Sequence, residues 1–360
     1  MTMTHLVQSL FRPQLKAMQA YKVADAHNLI KLDAMENPYS WPDAIKQEWL
    51  VQLQDCAINR YPDPAATSLT CSLRETNRVP VQADILLGNG SDEIIQILLM
   101  ALKQNSCIMA PEPGFVMYKQ VALSLGLNYL GIPLQADFSL DMPAMLDTIK
   151  TQQPAIIFLA YPNNPTGNLF AEQDIFDIIE ASEGLVIVDE AYAPFTDASF
   201  MPQLPEFNNL LVMRTVSKLG LAGLRLGFLA GNSDIITELN KIRLPYNINS
   251  LTQLTAEFAL NRIDFLIEQT QQIRQQRQWL FDTLKQIDGL SVYPSEANFI
   301  LFKSNTVEAD TVFQSLKRCG ILIKNLSPQG GLLDQCLRVT VGKTHENELF
   351  IQHLTQILHP

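Results

Sequence analysis

AIIFLAYPNNPTGNLFAEQDIFDIIEASEGLVIVDEAY, residues 155–192, reads as strand, turn, helix and strand in one unbroken unit. The runs AIIFLA and GLVIVD are apolar almost throughout and do not alternate, which is the pattern of a strand covered on both faces. Between them EQDIFDIIEAS (172–182) has its apolar residues at helical spacing. The same alternation extends in both directions, from about residue 84 to 231. Further apolar runs are DILLG, SCIMAP, NLLVMRTVSK and LRLGFLAG, and DEIIQILLMAL (92–102) is another helical stretch. Such alternation predicts an α/β fold with a mainly parallel sheet and helices on both faces. Each run ends in a polar or glycine-containing motif, at the strand ends where open α/β sheets bind ligands.

Outside this block the pattern changes. A long helical stretch from about 252 to 287 suits a connector, and the last ~70 residues, with SVYPSEANFILFK, ADTVFQSLKRCG and CLRVTVG, read as a small α+β unit. Residues 29–40 are expected to fold against that unit, with a site in the cleft between the two. The expected organisation is an N-terminal arm shared with the small domain (1–45), a large domain (46–251) and a connector with the small domain (252–360).

Composition narrows the function. The chain has 360 residues, enough for two cores, with 47% apolar and 18% charged residues. Its net charge of −11 argues against nucleic acid or an anionic membrane as partner, and makes any anion-binding group necessarily local. No apolar run is long enough for a membrane helix, and MTMTHLVQSLFRP lacks the basic and apolar regions of an export signal. Five scattered cysteines (56, 71, 107, 319, 336) suit reduced thiols and a cytoplasmic location. The histidines (5, 27, 345, 353, 359) stand beside no candidate nucleophile or ligand, so neither a Ser-His-Asp hydrolase nor a metal site is expected.

Five motifs carry the chemistry. TVSKLGLAGLRLG (215–227) sets Lys218 among small apolar residues, too apolar for a solvated face. A desolvated lysine has a lowered pKa and forms a Schiff base with an aldehyde. GNGSDEIIQILLMAL (88–102) is a glycine-rich turn opening a helix, where backbone N–H groups favour a phosphate. AYPNNPTGN (160–168) is a rigid turn able to aim the Asn164 amide at a ring oxygen. GLVIVDEAYAPF (184–195) ends a buried strand on Asp189, a carboxylate that needs a cation such as a pyridinium nitrogen. APEPGFVMY (110–118) places Phe115 where it could stack on a flat cofactor. Together these are what pyridoxal 5′-phosphate (PLP) requires.

The order GNGSDE, P-x-P-G-F, PNNPTG, VDEAY and SKLGLAGLRLG resembles the fold-type I PLP-dependent aminotransferases over most of the chain. RPQLKAMQAY (12–21), LDAMENP (32–38), RYPDP (60–64), PYNIN (245–249) and LRVTVG (337–342) are similar to its histidinol-phosphate aminotransferase branch. The resemblance implies a large domain with a mainly parallel seven-stranded sheet, a smaller α+β domain, and transamination between L-histidinol phosphate and 2-oxoglutarate, giving glutamate.

It also implies residue roles. Lys218 would bind the PLP aldehyde and shuttle the proton; Asp189 would pair with the ring nitrogen; Asn164 and Tyr192 would bond the phenolic oxygen. Gly90, Ser91, Asp92, Ser217 and Arg225 would hold the phosphate, with Tyr61 reaching the partner subunit's cofactor in a homodimer. Substrate would meet Tyr21, Asn37, Tyr246, Arg338 and Lys324. Four departures stand out. Phe115 replaces a common tyrosine but keeps the ring. Met35 replaces a usual asparagine, with little consequence expected because the following Glu-Asn-Pro is intact. Lys324 falls where relatives carry a second arginine, a point charge in place of a fork. The Lys218–Arg225 interval is one residue shorter than in some relatives. An aromatic aminotransferase, a threonine-phosphate decarboxylase and a non-catalytic regulator of the same fold share these cofactor motifs.

Overall fold

The computed structural model describes residues 9–12, 15, 16, 18, 20 and 24–359. The described elements, in chain order, begin with β1 (Ile30–Lys31), α1 (Asp43–Gln54) and α2 (Thr67–Thr76). The central block follows: β2 (Ala83–Gly88), α3 (Ser91–Met100), β3 (Cys107–Glu112), α4 (Val116–Leu125), β4 (Asn128–Pro133), α5 (Met142–Gln152), β5 (Ile156–Ala160), α6 (Glu172–Ala181), β6 (Leu185–Asp189), β7 (Leu210–Thr215) and β8 (Gly227–Asn232). Helices α7 (Ser233–Asn240), α8 (Ser250–Leu260) and α9 (Asp264–Leu284) lead on to β9 (Leu290–Val292), β10 (Phe299–Ser304), α10 (Ala309–Arg318), β11 (Ile321–Leu322), β12 (Lys324–Asn325), β13 (Cys336–Thr340) and α11 (Thr344–Leu358).

The central sheet has seven strands in the order β2-β8-β7-β6-β5-β3-β4, and only β8 runs against its neighbours. Strands β5 to β7 are buried on both faces, so their residues feed two cores alternately. Val186 and Val188 of β6 join one core, while Ile187 joins the other. Ile157 and Leu159 of β5 divide from Ile156 and Phe158 in the same way. This double burial is why the runs show no period of two. The register aligns the carboxyl ends: Ala160 pairs with Asp189, Asp189 with Met213, and Gly227 of the reversed β8 with both Thr215 and Gly88. One end of the sheet therefore carries four of the five motifs.

A second sheet, β12-β13-β10-β9, is antiparallel throughout. It buries Phe299, Phe302 and Val339 against Leu316 of α10 and Phe350 of α11. The N-terminal segment joins this unit: Ile30 pairs with Ile321, and Leu32 lies in the same core.

The helical stretch from 252 differs from the expected single connector. It is two helices, α8 and α9, separated by a turn at 261–263. Ala256, Ala259 and Leu260 of α8 pack into the large core, and so does Leu266 at the start of α9. Ile273, Leu280 and Leu284 further along α9 belong to the small core. The chain breaks between the two helices, and α9 alone runs from the large core to the small one. Trp41, in the expected arm, packs against the rings of Phe258 and Phe265 and so touches the large core.

Candidate active site

Lys218 sits in a widened helical turn, 217–221, that follows β7 directly. Gly220 lets that turn close: its φ is 116°, and a Cβ there would stand 2.9 Å from Asn37 Nδ2. The Lys218 amine donates to the Ala34 carbonyl at 3.2 Å and lies 5.9 Å from the centre of the Tyr192 ring. Burial, then the positive charge of Arg338, pulls its pKa from 10.5 down to about 8. About a tenth of the amine is thus unprotonated at pH 7, far more than for an ordinary lysine, and the unprotonated form is what nucleophilic attack on a carbonyl requires.

Asp189 ends β6 with its side chain almost wholly buried. Its Oδ2 accepts from the Tyr118 hydroxyl at 2.6 Å, and its Oδ1 accepts from the Ala191 N–H at 3.1 Å. Burial raises its pKa to about 6, the two hydrogen bonds oppose that, and the charges acting on it, Asp92 and Glu190, are both negative. A carboxylate so placed is matched by a cation from outside the protein.

The third group is a cradle at the start of α3. Gly90, at φ 88°, immediately precedes Ser91, and a Cβ at Gly90 would stand 2.7 Å from Arg225 Nη2. Arg225 itself takes a left-handed conformation (φ 49°), which turns its side chain over that helix end, with Nη2 3.4 Å from Asp92 Oδ2. The shortened Lys218–Arg225 interval therefore still brings the arginine to the start of α3. The Ser217 and Thr215 hydroxyls, 2.8 Å apart, line the same cavity. Free N–H groups at a helix start beside an arginine and two hydroxyls make an anion site.

Asn164 bridges to the small unit. Its Nδ2 donates to the Tyr192 hydroxyl at 3.1 Å, while its Oδ1 accepts from Arg338 Nη1. Arg338 is buried, lies 5.0 Å over the Phe299 ring and donates through Nη2 to the Asp33 carbonyl at 3.1 Å. Phe115 caps α4 and flanks the cavity that also receives Ser91, Asp92, Asn164, Asp189, Tyr192, Ser217, Lys218 and Arg225.

Not every expected residue arrives there. Asn37 does not line the cavity. Its Nδ2 donates to the Leu219 carbonyl (3.3 Å) and to Gln269 Oε1 (3.0 Å), and its Oδ1 accepts from the Tyr39 N–H (2.9 Å), so it fastens the turn next to Lys218. Met35, expected to matter little, does line the cavity, because its φ of 53° turns the chain there. Tyr61 and Tyr246 also lie outside the cavity of their own chain; they stack on each other at 4.5 Å, Tyr61 being 81% exposed. Lys324 stands directly across from Arg338 in the β12–β13 register, and its charge acts on Asp33. Tyr21 falls outside the described residues. Tyr118, Thr215 and Ala191 are additions that sequence did not single out. For Tyr118 a signal existed: it follows Phe115 by three positions, within the same APEPGFVMY stretch.

The three groups match PLP feature by feature: a softened amine for the aldehyde, an anion cradle that a Cβ would fill, and a buried carboxylate for the ring nitrogen. Among the described residues no group of His, Cys, Asp or Glu could hold a metal, and no helix is long and apolar enough to cross a membrane.

Comparison with known proteins agrees with this chemistry. The model of the family "Aminotransferase class I and II" matches residues 27–354. Histidinol-phosphate aminotransferase 2 of Nitrosococcus oceani is 54% identical over 349 residues, 97% of each chain. The crystal structure of histidinol-phosphate aminotransferase from Sinorhizobium meliloti in complex with pyridoxal-5′-phosphate superposes with a TM-score of 0.85 at 20% identity, covering 97% of this chain and 98% of that one. L-threonine-O-3-phosphate decarboxylase from Porphyromonas gingivalis superposes at 0.79 with 22% identity, over 92% and 100% of the two chains. At such identities these two structures establish the fold alone.

Proposed function

The chain belongs to the class I and II aminotransferases, and from that premise we propose that it is PLP-dependent and transfers the amino group of L-histidinol phosphate to 2-oxoglutarate, in histidine biosynthesis. The observation that carries the substrate is the 54% identity along nearly the whole chain to a histidinol-phosphate aminotransferase, since the fold is shared with a decarboxylase.

When bound, PLP supplies a carbonyl to carry the amino group and a protonated ring to take up electron density. The protein's residues do the rest. Asp189 holds the ring nitrogen protonated, and Gly90, Ser91, Asp92, Ser217 and Arg225 hold the phosphate. Asn164 and Tyr192 bond the ring oxygen, while Phe115 packs on the ring face. Lys218 Nζ, partly unprotonated at neutral pH, takes the proton from the substrate α-carbon and returns one at the end of the transfer. Arg338 binds the anionic end of each substrate, phosphate or carboxylate, and Lys324 opposite it adds a second positive charge. Met35 and the Asp33 carbonyl form the wall on that side. L-Histidinol phosphate has no carboxyl group to lose, so proton transfer is its only outlet here.

The chain is read as a cytoplasmic homodimer. Tyr61, Ile58 and Leu244 are strongly exposed apolar side chains, and Tyr61 and Tyr246 together present a stacked aromatic pair to a partner. Tyr61 is assigned to the partner subunit's cofactor phosphate, and Tyr21 and Tyr246 to substrate. Heterodimers of one Tyr61→Phe and one Lys218→Ala subunit test this, because only a shared site pairs the intact Lys218 with an intact Tyr61 and so restores one fully active cavity.

The deciding experiment is kinetic. The kcat/KM for L-histidinol phosphate with 2-oxoglutarate should exceed that for phenylalanine by at least about tenfold, the low end of the discrimination a pocket makes between similar substrates. Threonine phosphate should release no carbon dioxide. A preference for phenylalanine, or decarboxylation of threonine phosphate, overturns the assignment.

A further inference from the structure

The mechanism above uses Asp189 as an anion, yet nothing in it explains how a carboxylate stays ionised in so dry a place. Desolvation favours the neutral acid. Asp92 and Glu190 push the same way, although Glu190 is itself held by Arg214 at 2.6 Å. Lys218 and Arg225 line the same cavity, and Tyr192 is the other titratable group beside it. The contacts that oppose neutralisation are the backbone N–H of Ala191 and the hydroxyl of Tyr118. Of these only the Tyr118 hydroxyl comes from a side chain.

We infer that Tyr118 is a positioning residue for the transamination site, its hydroxyl holding Asp189 ionised and oriented for the cofactor's ring nitrogen; this rests on the PLP-dependent reading above. Four observations support it. The hydroxyl lies 2.6 Å from Oδ2, the short contact of a donor on a charged acceptor. The ring is 1% exposed and stacks on Phe158 at 4.4 Å and 6°, so the hydroxyl has one direction to point. Phe115, which lines the cavity, meets the same tyrosine edge-on at 5.4 Å and 83°. One α4 turn therefore sets both the ring face and the acid. Burial and the nearby Asp189 charge also keep the phenol pKa far above 10, so Tyr118 remains a donor at every working pH.

Removing the hydroxyl leaves Asp189 with one donor fewer, and its acid transition must rise. The neutral acid cannot attract a protonated ring nitrogen, so the deficit grows as pH falls and vanishes at high pH. The test is equilibrium dialysis of the full-length protein against PLP from pH 5 to 9, comparing wild type with Tyr118→Phe. The pH below which retention weakens should move up by about one unit, making Tyr118→Phe about fivefold weaker at pH 6 and within about twofold at pH 9. Lys218 and the cofactor phosphate titrate in both proteins, so the difference between the two profiles isolates Asp189. A second variant, Phe158→Leu, loosens the Tyr118 ring while keeping its hydroxyl. It should lower thermal stability and leave the pH break where it is. An unmoved break in Tyr118→Phe, a loss uniform across pH, or an equal shift in Phe158→Leu each overturns the proposal. If wild type retains no PLP, the functional reading falls as well; if wild type retains it normally, failure belongs to Tyr118 alone.

Discussion

Arg338 and Asn164 lie 174 positions apart in the chain, yet Nη1 of the first donates to Oδ1 of the second inside the closed site. The contact joins β13 of the small unit to the PNNPTG turn of the large one. It also fixes the amide's orientation, since Oδ1 must accept from Arg338 and Nδ2 is left to donate to Tyr192.

Replacing Asn164 by aspartate keeps the shape and adds a charge. An ion pair with the buried Arg338 would hold the guanidinium away from incoming phosphate or carboxylate. Asn164→Asp should raise KM for both substrates by about tenfold, equivalent to ~1.4 kcal/mol of lost binding, with the melting temperature unchanged or higher. Steady-state kinetics beside thermal melts check this, and an unchanged KM removes Arg338 from the substrate site.

The lowered pKa of Lys218 predicts a pH profile. The amine is protonated below about 8 and free above it, so borohydride trapping of PLP on the Lys218 peptide should rise through pH 8 and level off, as read by mass spectrometry. Arg338→Leu removes the second cause of the shift and should move that midpoint upward. The linkage to folding has a definite sign. Between about 8 and 10.5 the unfolded chain holds a proton that the folded chain lacks, so this lysine adds stability as pH rises across that window. A trapping midpoint near 10 would contradict the burial argument.

Gly90→Ala strains a backbone at φ 88° and sets a methyl 2.7 Å from Arg225 Nη2. Backbone strain of this kind costs about 1–2 kcal/mol, and the displaced guanidinium weakens phosphate binding further. Retention of PLP should fall by at least about tenfold, while kcat at saturating PLP changes much less. Fluorescence titration with PLP distinguishes the two. An equal fall in kcat would mean that the cradle orients the reacting atoms as well as holding the phosphate.

Glu190 and Arg214 form a buried ion pair at 2.6 Å, with Ser199 and the Phe200 N–H completing the carboxylate's partners. Arg214→Met leaves Glu190 buried and unpaired beside Asp189, which should cost about 3–5 kcal/mol in denaturant unfolding. Adding Glu190→Met should restore most of that loss, because an apolar pair removes the stranded charge. No recovery in the double variant would show that the pair also fixes the strand end.

Much of this was legible in one dimension. Continuous apolar runs ending in PNNPTG, VDEAY and SKLGLAGLRLG identified the sheet and placed Asn164, Asp189 and Lys218 at its edge, because each motif is local and follows its own strand. What was not legible was which residues meet between the units. Asn37 and Met35 sit in one short motif, and which of them faces the cavity depends on a left-handed turn at Met35 and on Gln269 far along the chain. The break between α8 and α9 was hidden because both helices continue one periodic pattern, and only the positions of the two cores force the turn. Tyr118 was hidden because a buried tyrosine in a helix looks like packing until its hydroxyl is seen 2.6 Å from Asp189. Sequence alone therefore determined the sheet, its edge and the chemistry carried by each strand end, since these depend on hydrophobic period and local turn residues. Tertiary structure decided the partners of each group, because burial and hydrogen bonding are set by which distant segments meet and how much water they exclude.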